Sequence, residues 1–525
     1  MTVLLHPLEL PAHFNLCEYF LDHNLSEGRA DKLAVIDDRG AYTYAQVAEQ
    51  VRRMAAVLRE GGLQAEDRVL IVLPDGLPFV TAFFGILRAG GVFAMVNPLL
   101  KRKDYTAYLE YTKARILITH ESVLPEIGEV ALASRHLHKV IVVGDEVPAG
   151  MLGFQDALAA ADPDGPMAAL EPTGPDDLAG WLFTSGSTGY PKGCVHMHRD
   201  FAYSTETYAL QVAGYQESDI CVSVPKLFFG YATGTNLMFP FRVGATCVLF
   251  EGRSTADELL DQIERHRPTF LTGVPTLLSN MLASDRIDRA DLSSLRICLS
   301  AGEALPQEIY ESWLARTGVE VLDGIGSAEM FHIYISNYPG DVRLGCLGRL
   351  VPGYWAEILG PEGNVLGVGE SGRLRIYGGS TALCYWANKA SSNETFQGAA
   401  YTTADIFRED EQGYFYYEGR TDDLLKVSGI WVSPLEIENC LLASDQVAQV
   451  CVVGKEDDQG LVKPLAFVVP KPGVVPGEAL AETLKAHAKA HLAPYKYPRW
   501  FEWRQDLPKN DRGKVARAQL RAEVQ

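Results

Sequence analysis

The nine cysteines are scattered and include no C-x-x-C pair, a distribution that fits a reducing compartment and no structural zinc. Positive charge is also in deficit. There are 47 Lys and Arg against 67 Asp and Glu, a formal net charge of -20, which argues against nucleic acid as the main partner. No apolar run approaches the ~20 residues of a membrane span. Residues 1–7 lack a basic segment leading into an apolar stretch, and residues 522–525 carry no peroxisomal address. Internal repeats and low-complexity tracts are missing too. These absences lead us to expect a cytoplasmic enzyme of bacterial type, with neither nucleic acid nor membrane among its partners.

What remains is an ordinary globular composition, 47% hydrophobic and 22% charged, on a chain of 525 residues. That length accommodates about three core-sized units at ~150 residues each. Strands are expected at 33–37, 42–44, 68–74, 92–96, 116–119 and 139–143. Helices are expected at 45–60, where Val47, Val51, Met54 and Leu58 share a face, and at 78–87. Strands alternating with helices imply largely parallel sheet covered on both faces. Over 357–418 the pattern becomes short alternating strands between Gly and Asn turns, a small β unit. After Asp422 a separate α+β pattern begins, with helices at 434–442 and 479–491. The expected fold is therefore α/β: a large N-terminal domain (1–421) of parallel-rich subdomains plus a small β unit, then a small C-terminal domain (422–525).

Residues 184–193 read T-S-G-S-T-G-Y-P-K-G, between two apolar strands. Gly186, Gly189 and Gly193 let backbone N–H groups approach phosphate oxygens closely. Thr184, Ser185, Ser187 and Thr188 add hydroxyl donors, and Lys192 adds a positive charge, so the loop suits a triphosphate. Pro191 precedes Lys192 where a Walker loop needs glycine, and the order is not G-x-S-x-G, so Ser187 is a poor hydrolase nucleophile. The loop resembles the signature of the adenylate-forming superfamily of acyl-CoA synthetases, peptide-synthetase adenylation domains and luciferases.

Further segments resemble that superfamily in its own order, over nearly the whole chain. Residues 226–231 (K-L-F-F-G-Y) look like its aromatic segment, with Phe229 gating a thiol tunnel. No acidic residue lies between Lys226 and Phe239, so a substrate α-ammonium would be buried without a partner. The resemblance thus implies a plain carboxylic acid. Ala301, Gly302 and Glu303 correspond to the turn beside adenine and acyl group. Residues 323–329 (D-G-I-G-S-A-E) correspond to the nucleotide motif, in which Asp323, Gly324, Ile325 and Ser327 flank ATP and Glu329 holds Mg²⁺. Ile325 replaces the usual aromatic residue and Ala328 the usual Thr. With His332 following, the wording is similar to benzoate-type aryl-CoA ligases, including anthranilate-CoA ligases. In that branch Gly230, Tyr231, Ala301, Gly326, His332 and Ile333 would line the pocket, and Gly230 would leave room for an ortho substituent.

Asp405 matches the carboxylate that takes the ribose hydroxyls, and Arg420 its neighbour on the ribose. Asp422 matches the hinge between domains, and Lys426, Ser428 and Gly429 the segment that meets coenzyme A. Lys514 matches the lysine that bridges carboxylate and α-phosphate. Lys496, Arg499, Arg504, Arg512, Arg517 and Arg521 make the C-terminal end basic, a candidate surface for coenzyme A phosphates. His196 and His198 alternate along an expected strand without a third metal ligand. The resemblance implies ATP, Mg²⁺ and coenzyme A acting with a benzoate, aminobenzoate or hydroxybenzoate through an acyl-AMP. Three alternatives stay open: loading of a carrier protein, luciferase-like oxidation, and a non-catalytic binding protein. Whether the chain acts as a monomer or a homodimer is left open.

Overall fold

A computed structural model describes residues 8–184, 191–303, 305–421, 423–427, 430–458, 461–509 and 515–524. Among them two large sheets organise the N-terminal domain. The first has nine strands, with a parallel run formed by Leu33–Asp37, Thr246–Val248, Ile220–Ser223, Phe270–Gly273, Ile297–Ala301 and Val321–Gly326. Antiparallel strands close both of its edges. The second has eight strands. Leu178–Thr184, Val92–Met95, Arg68–Val72, Ile116–His120 and Lys139–Val143 run parallel at its centre. Lys192–Met197 and Cys384–Tyr385 then add antiparallel strands at one end.

Alternation along each strand sends side chains into different layers. Val69 and Ile71 face a core shared with the first sheet, whereas Leu70 and Val72 face an outer layer holding Tyr105, Leu109 and Ile127. In the first sheet, Phe270 and Leu299 point to the shared core, and Leu271 and Cys298 to an outer layer with Leu259, Leu278 and Trp313. Buried side chains of the helices Tyr44–Glu60 and Leu77–Arg88 belong to the shared core. The layering is therefore helix, sheet, helix, sheet, helix, and it buries both faces of both sheets.

Local chemistry sets the boundaries. Thr43 caps Tyr44–Glu60 by accepting from the Gln46 N–H, while the Gln46 side chain accepts from the Thr43 N–H at 2.9 Å. The expected β unit is a five-stranded antiparallel sheet that includes Ser371–Tyr377, Ala400–Glu409 and Phe415–Arg420. The small C-terminal domain has a two-stranded hairpin and a three-stranded sheet, covered by the helices Pro434–Leu442 and Glu478–His491. No helix among the described residues is long and apolar enough to cross a membrane.

Two expectations need correction. His198 is not on a strand: Lys192–Met197 ends before it, and the Asp200 carboxylate accepts from the Met197 N–H at 3.0 Å, which starts the helix His198–Ser204. Among the described residues, which leave out Arg512, the basic C-terminal end is largely neutralised internally. Lys496 pairs with Glu436, Arg504 with Glu502 and Glu523, Arg517 with Glu438, and Arg521 with Asp423, while Arg499 lies over the Tyr497 ring.

Gly180, on the strand that leads to the glycine-rich loop, lies flat against Phe93. A Cβ there would stand 2.1–2.5 Å from three atoms of that fully buried ring. Gly180→Ala should therefore lower stability by about 1–3 kcal/mol through overpacking, read as a shift of the urea unfolding midpoint. An unchanged midpoint would show that the ring can yield.

Candidate active site

The loop's two flanks form the base of a hairpin, with Thr184 directly opposite Lys192. Ser185, Gly186, Ser187, Thr188 and Gly189 lie outside the described residues, as do Asp422, Ser428, Gly429 and Lys514. Edge pairing puts Tyr385 opposite Cys194, next to that hairpin base. The Lys192 ammonium lies 4.8 Å from the Tyr385 ring centroid, and the Tyr385 hydroxyl donates to Glu329 Oε1 at 2.8 Å. The three groups thus form one chain of ammonium, phenol and carboxylate, and the Glu329 side chain is buried.

Glu329 sits on the short turn Ala328–Met330, which is fixed from two sides. The Ala382 N–H donates to the Glu329 carbonyl at 2.8 Å, and His196 Nε2 lies 2.7 Å from the Ala328 carbonyl. His196 Nδ1 is in turn 3.0 Å from Asp200. His196 therefore serves as an internal strut rather than as half of a metal pair.

The next residue is strained. Phe331 has φ +63° and ψ −55°, and the His332 N–H donates to the Met330 carbonyl at 2.7 Å, which closes a γ-turn of the rare, left-handed kind. Such a conformation costs on the order of 1–3 kcal/mol and persists only where its surroundings impose it. Here the buried Phe331 ring packs on Phe201 at 4.5 Å. The turn directs His332 against the Gly230–Thr233 helix, with its Nε2 3.1 Å from the Tyr231 carbonyl. Gly326 permits this arrangement, because a Cβ there would stand 2.5 Å from the His332 carbonyl oxygen and 2.9 Å from the Ile333 nitrogen.

The surroundings of His332 are aromatic. The His332 ring lies 4.6 Å from Phe239, 5.3 Å from Tyr208 and 5.4 Å from Tyr231, and burial pushes its pKa down to about 3. The Tyr231 hydroxyl is buried and has no hydrogen-bond partner among the described residues. Leu182 borders Gly230: a Cβ added there would meet its Cδ1 at 3.2 Å. Phe229 caps the same helix and touches Phe228 at 4.3 Å. Two residues overlooked in the sequence hold this segment. The Leu227 N–H donates to Asp75 at 2.8 Å, and Lys226 donates to the Phe250 carbonyl at 2.6 Å with its ammonium over the Phe250 ring. Asp75 falls in a P-D-G turn, which reads as nothing more in sequence.

Adjacent strands bring other expected residues together. Asp405 and Arg420 are directly paired across Ala400–Glu409 and Phe415–Arg420. Asp405 also lies near Glu329, since both carboxylates, after burial, raise the pKa of Tyr334 and of Tyr401. Ala301 pairs with Gly324, and Ile333 with Gly326. Ile325 is part-buried opposite Ile335, and Ser327 precedes the turn that carries Glu329. Gly302 has φ +91°, which suits glycine alone. The Glu303 carboxylate is committed to the Thr276 hydroxyl at 2.7 Å. Lys426 is exposed on the hairpin of the small domain.

Asp323 is buried, and that burial raises its carboxyl to about 7. A carboxyl raised in the fold keeps a proton that the unfolded chain has released, so stability falls as pH rises from ~4 to ~7 and is level above. Asp323→Asn removes this dependence. Relative to wild type, the ligand-free variant should gain up to about 1.4 kcal/mol per pH unit across that window. Parallel unfolding curves at pH 4.5, 6 and 7.5 check it (about 4 to 7 being the window set by the shift); a constant difference would contradict the burial effect.

The chain matches the AMP-binding enzyme family over residues 21–386 and the AMP-binding enzyme C-terminal domain over 436–514. It is 43% identical over 518 residues to a benzoate–CoA ligase of Thauera aromatica, covering 98% of this chain and 97% of that protein. The crystal structure of the anthranilate CoA ligase AuaEII in complex with anthranoyl-AMP superposes with a TM-score of 0.93 at 37% identity, covering 98% of both chains. That of a benzoate CoA ligase from Burkholderia xenovorans gives 0.88 at 42% identity, over 97% of this chain and all of that one. The loop, the Glu329 turn and the Asp405–Arg420 pair thus lie in a chain that belongs to the AMP-binding enzyme family.

Proposed function

We propose that the chain is an ATP-dependent aryl-CoA ligase for a benzoate-type acid. The observation that carries this reading is the γ-turn at Phe331, which puts a buried carboxylate, Glu329, and the aromatic cluster at His332 at opposite ends of a four-residue stretch. Phosphate chemistry and an aryl ring are thereby held side by side.

In the first half-reaction a carboxylate oxygen of the acid attacks the α-phosphorus of ATP, the bond to the pyrophosphate oxygen breaks, and an acyl-adenylate forms. Thr184, Lys192 and the intervening loop would cradle the phosphates, with Asp405 and Arg420 on the ribose. Gly324, Ile325, Ser327 and Gly302 would lie along the nucleotide. A single buried carboxylate with hard oxygen donors fits Mg²⁺, which keeps most of its shell for phosphate and water, so Glu329 would hold it. When bound, the ion supplies neutralisation of phosphate charge. Tyr385 orients Glu329 through its hydroxyl. In the second half-reaction the coenzyme A sulfur attacks the acyl carbon, the bond to the AMP oxygen breaks, and AMP leaves. Positioning and charge neutralisation account for such catalysis.

The ring end of the pocket (Tyr208, Tyr231, Phe239 and neutral His332) offers the substrate no positive charge beyond its own carboxylate region. The unpartnered Tyr231 hydroxyl supports an acid with a hydrogen-bonding ring substituent, such as 2-aminobenzoate or a hydroxybenzoate. Leu182 above Gly230 would have to yield for an ortho group.

The domain boundary belongs to the same proposal. Thr421 donates to the Ala404 carbonyl from its N–H at 2.8 Å, and so stays with the large domain. Asp423 accepts from Arg521 at 2.7 Å and so goes with the small one. These anchors support a pivot at Asp422, between 1–421 and 422–525. All nine cysteines are free, which supports a reducing, cytoplasmic setting.

Acid-dependent pyrophosphate exchange with a panel of substituted benzoates tests the reading; a preference for long-chain aliphatic acids, or no exchange at all, would overturn it. A thioester assay offering coenzyme A against a carrier protein identifies the acceptor. Lys514→Ala should lower adenylate formation by at least about 100-fold, the scale of one preorganised charge at a reacting centre, yet spare thioester formation from supplied acyl-adenylate. Equal loss of both halves would remove Lys514 from the assigned role.

A further inference from the structure

His487 and His491 stand one turn apart on Glu478–His491 and therefore share a helical face. That helix packs through Leu480, Leu484 and Ala488 against Ile437 and Leu441 of Pro434–Leu442, which carries Cys440. One ligand-capable atom of each of Cys440, His487 and His491 lies within 4.8 Å of the others. Cys440 and His487 are half-buried and His491 is exposed, so the group is reachable from solvent.

The imidazoles are already oriented. His487 Nε2 is 3.0 Å from the Cys440 carbonyl, and His491 Nδ1 is 2.8 Å from the His487 carbonyl. A carbonyl accepts only from N–H, so each ring places its proton on that nitrogen and leaves a lone pair on the other. Backbone carbonyls fix tautomer and ring direction in this way at protein metal sites. One sulfur and two imidazole nitrogens select a borderline-soft ion, whereas Mg²⁺ and Ca²⁺ require oxygen. Glu436, one turn before Cys440, is engaged by Lys496 through both oxygens at 2.6 Å and does not complete the set.

We propose that Cys440, His487 and His491 form a three-residue site for a divalent metal of the zinc class on the small domain, with water or an outside donor in fourth place. The metal forms its bond to sulfur as the S–H bond breaks, and the proton passes to solvent. It would clamp the Pro434–Leu442 helix to its neighbour, separate from the Glu329 and Lys192 cluster of the large domain. Spacings of 47 and 4 residues belong to no zinc-ribbon pattern, so the absence of C-x-x-C misleads here.

Cobalt titration of metal-free full-length protein tests the site. One equivalent should bind with a near-ultraviolet thiolate-to-cobalt band and be displaced by zinc. Cys440→Ser should abolish the band. His491→Ala, at an exposed position, should weaken cobalt binding by about tenfold or more, since losing a group one shell further out already costs 10–100-fold. Both variants should keep wild-type pyrophosphate exchange, which shows that they are folded. Absence of the band in wild type, its persistence in Cys440→Ser, or unweakened binding by His491→Ala would each overturn the site.

Discussion

The γ-turn at Phe331 is the constraint on which the site's geometry depends. A relaxed backbone between Glu329 and Ile333 would separate the buried carboxylate from the aromatic cluster around His332. The strained conformation is held by contacts that cannot easily give way. Gly326 lies against the backbone of residues 332 and 333 with no room for a side chain. The Ala382 N–H and His196 fix the carbonyls of Glu329 and Ala328, and the Phe331 ring is enclosed by Phe201 and Phe239. Burying one aromatic side chain contributes about 1.5–3 kcal/mol, enough to offset a strain of about 1–3 kcal/mol.

The same economy governs charge. The chain is strongly acidic, yet the site surrounds Glu329 with phenols rather than with guanidinium groups. Tyr385 donates to it directly, while burial and the two carboxylates keep Tyr334 and Tyr401 protonated far above neutral pH. A carboxylate held by neutral donors keeps its negative charge available to a cation. One held by arginine would already be neutralised. Arg504, Arg517 and Arg521 of the C-terminal end engage internal carboxylates instead, Arg517 forking onto Glu438 at 2.6 and 3.0 Å.

What could be read from the sequence was whatever depends on local periodicity. The strands Leu33–Asp37 and Lys139–Val143 and the helix Pro434–Leu442 fall where the sequence pattern places them. The direct pairing of Asp405 with Arg420 arises because each lies on a strand of one antiparallel sheet. What escaped was fixed by partners distant in the chain. Tyr385 reaches Glu329 across 56 residues, Asp75 reaches Leu227 across 152, and His196 reaches Ala328 across 132. His198 was misplaced because an alternating His-Met-His looks like strand until Asp200 is seen to cap the next helix. Leu182, which borders Gly230, likewise comes from the distant strand Leu178–Thr184.

The small domain ties together the described residues on either side of the segment 510–514. Lys509 and Val515 form an antiparallel bridge, and the Ala516 N–H donates to the Pro508 carbonyl at 2.7 Å, so both ends of the segment carrying Lys514 are fixed to one another. Arg517 then ties that segment to Glu438 on the Pro434–Leu442 helix and to the backbone carbonyl of Val452. Asp423, immediately beyond the proposed pivot, accepts from Arg521 of the same terminal helix. The ends of the lysine segment, that helix and the far side of the pivot are therefore linked by short charged contacts within one body. At the proposed pivot the turn bonds from the Asp423 and Leu424 N–H groups to the Arg420 carbonyl are the contacts that a rotation would break. Few bonds thus stand against such a motion, whereas many hold the small domain together, and a hinge needs only a few residues able to absorb the backbone change.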